Sequence, residues 1–282
     1  MAEVGLYVFG TSILWGQGHK KDNKIHSRIG AWLEKPGVRV RVRHYAHSGA
    51  VLKGGGGSGR GPLNGEIPDE WPSIATQIRN APASTDKRVC ILVDGGINDV
   101  GPFNIVNPLY PTGKLKARTR QACAIDALDV LMQLIRKYRG SEIYLLGYYQ
   151  ILSNRPRKLD LKRLFTVCQV CDIRDLPSDF VTRAVRNARN FWNESDRHLA
   201  GAARKAHREA TKFGGSVTFV PSGFKASEGM FGSPTLLYKV LARDPKLAAR
   251  RIPCSGAGQV FTVISRVRRT RTGKACSATS RI

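Results

Sequence analysis

The chain has 282 residues, long enough to bury a substantial core, and 41% hydrophobic with 24% charged residues places it among globular proteins rather than disordered or fibrous ones. Lys and Arg number 46 against 21 Asp and Glu, a net charge of +25, which attracts nucleic acid, acidic membrane faces or acidic polysaccharides and carries no information about fold. No window approaches the ~18 to 20 apolar residues of a membrane span, and a strand starting just after Met1 leaves no room for a signal peptide.

The chain as written is therefore expected to stay in the cytoplasm, although an exported mature form without its leader would read the same way. The first element is a buried strand from Val4 to Phe9. Gly10 and Thr11 interrupt it, and Ser12 follows at once. A serine just past the carboxyl end of a buried strand stands where open α/β sheets bind ligands; the plainer alternative is a cap on the next turn or helix. After a loop from Trp15 to His19, a helix is predicted over Asn23 to Glu34, with Ile25, Ile29, Trp32 and Leu33 as its apolar stripe. Pro36-Gly37 stops it.

Strand two runs from Val38 to Tyr45, and its Val/Arg alternation marks a position near the sheet edge. It leads into Ala46-His47-Ser48-Gly49-Ala50. The glycine-rich stretch Lys53 to Gly61 is a linker or a lid; it is not a phosphate loop, because no Gly-Lys-Ser/Thr opens a helix after it. A short helix is predicted over Pro68 to Asn80. Arg88 to Asp94 reads as a central strand, ending in Gly95-Gly96-Ile97-Asn98-Asp99.

A helix from Lys116 to Tyr138 and a strand from Ile143 to Gly147 follow, then an irregular basic stretch from 150 to 177. A long Ala/Arg-rich helix covers Asp179 to Lys212, and Val217 to Val220 is the fifth strand. Five strands separated by helices predict one doubly wound α/β domain over residues 1–221. Residues 222–282 are expected to be a C-terminal extension of short helices and a Gly/Ser/Arg-rich tail. Cys90 and Cys123 read as buried thiols. Cys168 and Cys171 form one C-x-x-C, half of a zinc site or a redox pair. Cys254 and Cys276 are either free or paired, and pairing would argue for export.

In a parallel sheet the loops after strands one, two and three emerge on one edge. That edge would hold Ser12 as a nucleophile, the unobstructed Gly49 N–H and the Asn98 side-chain amide. Acyl transfer needs this set: a hydroxyl to attack the carbonyl and N–H groups to stabilise the oxyanion. Taken singly, Gly49 is an ordinary loop glycine and Asn98-Asp99 an ordinary turn pair.

Together, Gly10-Thr11-Ser12, the Gly49 of His47-Ser48-Gly49, and Gly96-Ile97-Asn98-Asp99 resemble the first three blocks of the SGNH, or GDSL-type, esterases and lipases. Thr11 stands where that family usually has Asp, the third block matches Gly-x-Asn-Asp in full, and the likeness extends over most of residues 4–221. The resemblance implies a three-layer, flavodoxin-like sandwich with a five-stranded parallel sheet. It implies ester hydrolysis with Ser12 as nucleophile, Gly49 and Asn98 in the oxyanion hole, and Gly10, Gly96 and Asp99 in support. The implied substrate is a small ester or an acylated carbohydrate, with no cofactor and no metal.

The same resemblance implies a fourth block, Asp-x-x-His, whose His is the general base and whose Asp orients it. This sequence has no histidine after His207. His47 is nearest Ser12 by topology and His19 next, and both read as loop or surface histidines. His26 and His207 read as solvated helix positions, His44 follows its strand's alternation, and His198 packs on its helix. Shifted by two bases, the codons of Ala278 to Ile282 can spell Asp-Val-Ala-His. A truncated or frameshifted reading frame is thus one expectation, which the nucleotide sequence decides. The competing function is a non-catalytic basic module on the same fold, binding an anionic polymer such as nucleic acid or polysaccharide. A dedicated nucleic-acid binder fits less well, because no zinc-finger or RNP-type motif accompanies the dispersed charge.

Overall fold

The computed structural model describes residues 2–16, 21–54, 63–64, 67–68 and 72–232. Five strands form the main sheet: β1 (Ala2–Phe9), β2 (Val38–His44), β3 (Arg88–Val93), β4 (Glu142–Leu146) and β5 (Ser216–Val220). Every pairing is parallel and the spatial order is β2-β1-β3-β4-β5, the flavodoxin-like order. β1, apolar on both faces, lies inside the sheet. β2, with Arg39 and Arg41 exposed, forms an edge, as its alternation predicts. Val8 pairs with His44 and Phe9 with Val93, so these three strands end within a residue of one another.

Helices cover both faces. They are α1 (Ser12–Trp15), α2 (Ile25–Leu33), α3 (Ile74–Asn80), α4 (Ile97–Val100), α5 (Pro102–Val106), α6 (Thr112–Arg120), α7 (Ala127–Lys137), α8 (Lys158–Cys168) and α9 (Phe180–Ala210). On one face Tyr7, Phe9, Ile91, Val93, Ile143 and Leu145 pack against buried residues of α3, α7 and α9. On the other, Leu6, Val8, Cys90 and Leu92 pack with Leu14 of α1, and Ile29 of α2 lies against them. The apolar alternation within each central strand thus divides one sheet into two cores.

Four predicted elements need correction, the first being the helix expected over Pro68 to Asn80, which begins only at Ile74 because Pro68 lies in a two-residue strand, Ile67–Pro68. The stretch 150–177 is not irregular: it contains α8, whose Leu161, Leu164 and Phe165 are fully buried at helical spacing. Lys158, Lys162 and Arg163 around them masked that stripe in the sequence. The helix predicted from Lys116 starts earlier, at Thr112, and passes through a π-helical turn at Gln121–Asp126 before α7. In α2 the inward face centres on His26 and Gly30, while Trp32 is 71% exposed. A side chain on Gly30 would press on Val42, so the glycine allows α2 to settle closely on β2.

After β5 the chain runs back along the loop following β4. Met230 donates its N–H to the Ile151 carbonyl and accepts from the Ser153 N–H. The rest of the C-terminal extension, with Cys254, Cys276 and the frame-shifted Asp-x-x-His, lies outside the described residues. So do His19 and most of the glycine-rich stretch.

Candidate active site

The turn that carries Ser12 is held from two directions. At Gly10 the backbone leaves β1 with φ +154°, and a Cβ would sit 1.7 Å from the Asp94 carboxylate, so only glycine fits. The Gly10 N–H donates to Gln77 Oε1 at 2.9 Å, and its carbonyl accepts from Gln77 Nε2 at 3.0 Å. Thr11 gives both its N–H and its hydroxyl to Asp94, at 2.7 and 2.6 Å. The Thr11 side chain is therefore spent across the strand ends and makes no cap bond to α1. Ser12 is the first residue of α1, buried to 8% exposure. Because it opens the helix, its N–H has no intrahelical acceptor. The capping role considered for Ser12 belongs to the Thr11 position.

Asp94 is fully buried, and burial pushes its carboxyl up to about 6, although the two Thr11 hydrogen bonds pull the other way. At neutral pH it is an acceptor for both Thr11 donors. Neither Asp94 nor Gln77 was singled out in the sequence. Each had a signal: Asp94 is an acid closing a strand of buried apolar residues, and Gln77 shares the inward face of α3 with Ile74 and Ile78.

The loop after β2 bonds to both neighbours. The His47 N–H donates to the Gly10 carbonyl at 3.0 Å, and the Ala50 N–H closes a turn onto the His47 carbonyl at 3.3 Å. Gly49 occupies the third position of that turn at φ +83°, a left-handed conformation that favours glycine. The turn bond does not use the Gly49 N–H. Asn98 then donates one amide N–H to the Ala50 carbonyl at 2.8 Å, leaving its second N–H outside that bond. Asp99 accepts from the Leu52 N–H at 3.0 Å, and burial raises its carboxyl to about 6. Gly96, at φ +124°, turns the chain from β3 into α4. The loops carrying Ser12, Gly49 and Asn98 are thus joined by one unbroken run of hydrogen bonds.

His26, His44 and His47 lie to the β2 side of this rim, and His198 and His207 lie on α9. His26 Nδ1 and His44 Nε2 both reach the Leu14 carbonyl, at 3.2 and 3.1 Å. Their rings are 4.2 Å apart. Burial, with His26 beside it, lowers His44 to about 4, and burial lowers His26 as well. His26 is consequently not a solvated helix position: it is buried and helps fix α1. His47 is a loop residue, as expected, and is half-buried. Its ring stacks on Trp15 at 5.2 Å, burial keeps it neutral, and its Nδ1 is sealed without a partner. His198 lies 3.4 Å from Glu194, and exposed His207 accepts from the Val217 N–H. Among the described residues no histidine hydrogen-bonds to the Ser12 hydroxyl.

No protein-family model matches this sequence, and no curated protein matches it. Thirteen chains of known structure do. A phospholipase A1 from Streptomyces albidoflavus NA297 matches with a TM-score of 0.47 and 14% identity, over 96% of this chain and 99% of its own. A carbohydrate acetylesterase from Sinorhizobium meliloti matches with a TM-score of 0.36 and 11% identity, over 94% and 99%. The extracellular lipase of Streptomyces rimosus matches with a TM-score of 0.50 and 14% identity, over 94% of this chain and 99% of that one. At that identity the likeness shows the fold: this chain is similar to the lipase in its α/β architecture along nearly the whole length of both.

Proposed function

We propose that the chain is a serine-dependent carboxylic ester hydrolase of the SGNH type, with residues 1–221 as its hydrolase core. The observation that carries this reading is the hydrogen-bonded run from Gly10 through His47 and Ala50 to Asn98. It ties a serine, a glycine N–H and a side-chain amide to one rim at the carboxyl edge of a parallel sheet, where such sheets bind ligands. The Ser12 oxygen attacks the ester carbonyl carbon. The oxyanion that forms accepts hydrogen bonds from the N–H groups of Ser12 and Gly49 and from the free amide N–H of Asn98. Collapse expels the alcohol and leaves an acyl-serine, which water hydrolyses to the carboxylic acid and free Ser12.

The chemistry requires no cofactor, and the substrate is a small ester or an acylated carbohydrate. Among the described residues no histidine hydrogen-bonds to the Ser12 hydroxyl, so no general base is placed there. His47, whose ring stacks on Trp15 and whose backbone N–H donates to the Gly10 carbonyl, is read here as standing on the oxyanion side, where a base would crowd the carbonyl oxygen rather than take the serine's proton. Turnover is accordingly slower than for an intact triad by about 10³-fold or more. Hydrolysis of p-nitrophenyl acetate and butyrate by this chain beside Ser12→Ala tests the reading. Slow release that disappears in Ser12→Ala supports it, and equal rates refute it.

A second reading, non-catalytic binding of an anionic polymer, is supported by the surface of α9. Arg186, Arg189, Arg197, Arg204 and Arg208 are exposed along its outer side, and Lys116 and Arg120 of neighbouring α6 are exposed as well. Retention on heparin that weakens steeply with salt, without any Ser12-dependent turnover, would favour that reading.

A further inference from the structure

Exposed apolar side chains scattered singly are ordinary, but a row of them set among cations on one helix face is not scattered. Among the described residues Trp32 is the most exposed of the large apolar side chains, at 71%, and Ile25 on the same helix is 37% exposed. Trp15 and Trp192, by contrast, are half-buried. Ile25, Arg28 and Trp32 follow one another at i, i+3 and i+7 and share the outer face of α2. Arg28 is exposed as well, and so is Lys35 just past the helix end, whose Nζ lies 5.6 Å over the Trp32 ring. Ile25 and Trp32 stand about 10 Å apart along the helix axis, with Arg28 between them. α2 itself contains no acid, and Asp22 and Glu34 lie beyond its two ends.

The fold makes no use of this face. α2 is seated by other residues: Ile29 lies against the core, Gly30 lets the helix approach Val42, and His26 bonds to the Leu14 carbonyl at 3.2 Å. A partner for the outer face must accept an indole and an aliphatic side chain together with the cations beside them. A polyanion held by charge alone would leave Ile25 and Trp32 in water. A second copy of this chain, meeting the row with the same row, would set Arg28 and Lys35 against their own counterparts. A bilayer with anionic headgroups answers every group: the indole takes the headgroup level, Ile25 reaches the acyl boundary, and Arg28 and Lys35 meet the phosphates. The net charge of +25 draws the chain to such a surface.

We infer that the outer face of α2 is a docking surface for an anionic lipid bilayer, with Trp32 as its anchor. The surface starts beside the candidate active site, because His26, next to Ile25, holds α1, the helix that Ser12 opens. Lipid binding at α2 does not depend on the ester hydrolase reading.

The test is co-sedimentation of the full chain with vesicles of phosphatidylcholine alone or mixed with phosphatidylglycerol, with a single-stranded DNA oligonucleotide as the competing partner. A chain this basic adheres to anionic vesicles through charge alone, so the deciding variant is one that leaves charge unchanged. Trp32→Ala should weaken binding to the mixed vesicles about tenfold, and Arg28→Gln with Lys35→Gln about 30-fold. Tryptophan emission of the parent should shift to the blue on those vesicles, and the shift should shrink in Trp32→Ala. Urea unfolding checks that the variants fold, and Ile25→Ser gives a second charge-neutral variant with the same expected direction. Equal binding of the parent and the folded Trp32→Ala and Ile25→Ser variants overturns the inference, and so does absence of vesicle binding. Trp32-dependent binding to the oligonucleotide with none to vesicles overturns it too, and gives the row to nucleic acid.

Discussion

The rim after β1, β2 and β3 and the loop after β4 are neighbours, joined through Tyr148 and Ile97, yet they treat polar groups in opposite ways. In the rim, Thr11 gives two donors to Asp94, Gln77 grips both sides of the Gly10 peptide, and the Asn98 amide is bonded to Ala50. Along the loop after β4 and the facing part of α9, Gln150 Oε1, Ser153 Oγ, Trp192 Nε1 and Asp196 Oδ1 are buried without a partner. The contrast separates two states of buried polarity. Satisfied groups fix where the backbone and Ser12 stand, whereas unsatisfied ones carry a desolvation cost that no hydrogen bond within the chain offsets.

Substitutions can break that contrast, and the largest effect is expected in the rim. Asn98→Ala removes the proposed oxyanion donor and the bond to Ala50, so turnover should fall about 10²- to 10³-fold. Steady-state kinetics on a p-nitrophenyl ester measure it, and a change of less than about threefold would mean that Asn98 serves only as a loop tie. Gly10→Ala comes next. It forces a side chain into a positive-φ position and against the Asp94 carboxylate, and strain and overpacking together should cost about 3 kcal/mol or more. Urea unfolding reads that loss directly.

The third effect depends on pH. The folded state keeps His44 neutral down to about 4, while an unfolded histidine protonates near 6.5. The unfolded chain therefore binds the extra proton first, and stability is lost as pH falls from 6.5 towards 4, by up to about 3 kcal/mol. Asp94 and Asp99, both raised to about 6, act in the opposite sense, their contribution falling as pH rises from about 4 through 6. The His44 effect must accordingly be taken as the difference between the parent and His44→Asn across that range. Equal pH slopes for the two would disprove it. The smallest effect belongs to α9: Trp192→Phe removes a buried N–H that has no partner, so thermal stability should change by less than about 0.5 kcal/mol. A large loss would show that the indole N–H has a structural partner after all.

What the sequence made legible follows from how local each signal is. The apolar run of β1, the Val/Arg alternation of β2 and the glycines after each strand report their own positions, and the place of β2 at a sheet edge followed from its alternation. The loops bearing Ser12, Gly49 and Asn98 were readable for the same reason, since a parallel sheet sends its odd loops to one edge. Asp94, Gln77 and His26 were not read, because their meaning comes from partners 67 to 83 residues away for Gln77 and Asp94 and from the Leu14 carbonyl for His26. α8 was missed because its three buried apolar residues are outnumbered locally by charge. The unpartnered indole N–H of Trp192 was not read for a further reason: Phe191-Trp192 reads as an anchor for the long helix, and only the folded chain shows that N–H buried without an acceptor.

The central claim is that Ser12 is a nucleophile held ready on the rim but without its base. Reaction of the intact chain with a fluorophosphonate probe, with the modified residue located by mass spectrometry, tests it most directly. The predicted result is covalent labelling at Ser12, absent from Ser12→Ala, about 10³-fold slower than an intact triad allows and unchanged in His47→Ala. Labelling that spares Ser12 in the folded chain would contradict the account, and so would rapid stoichiometric labelling that vanishes in His47→Ala.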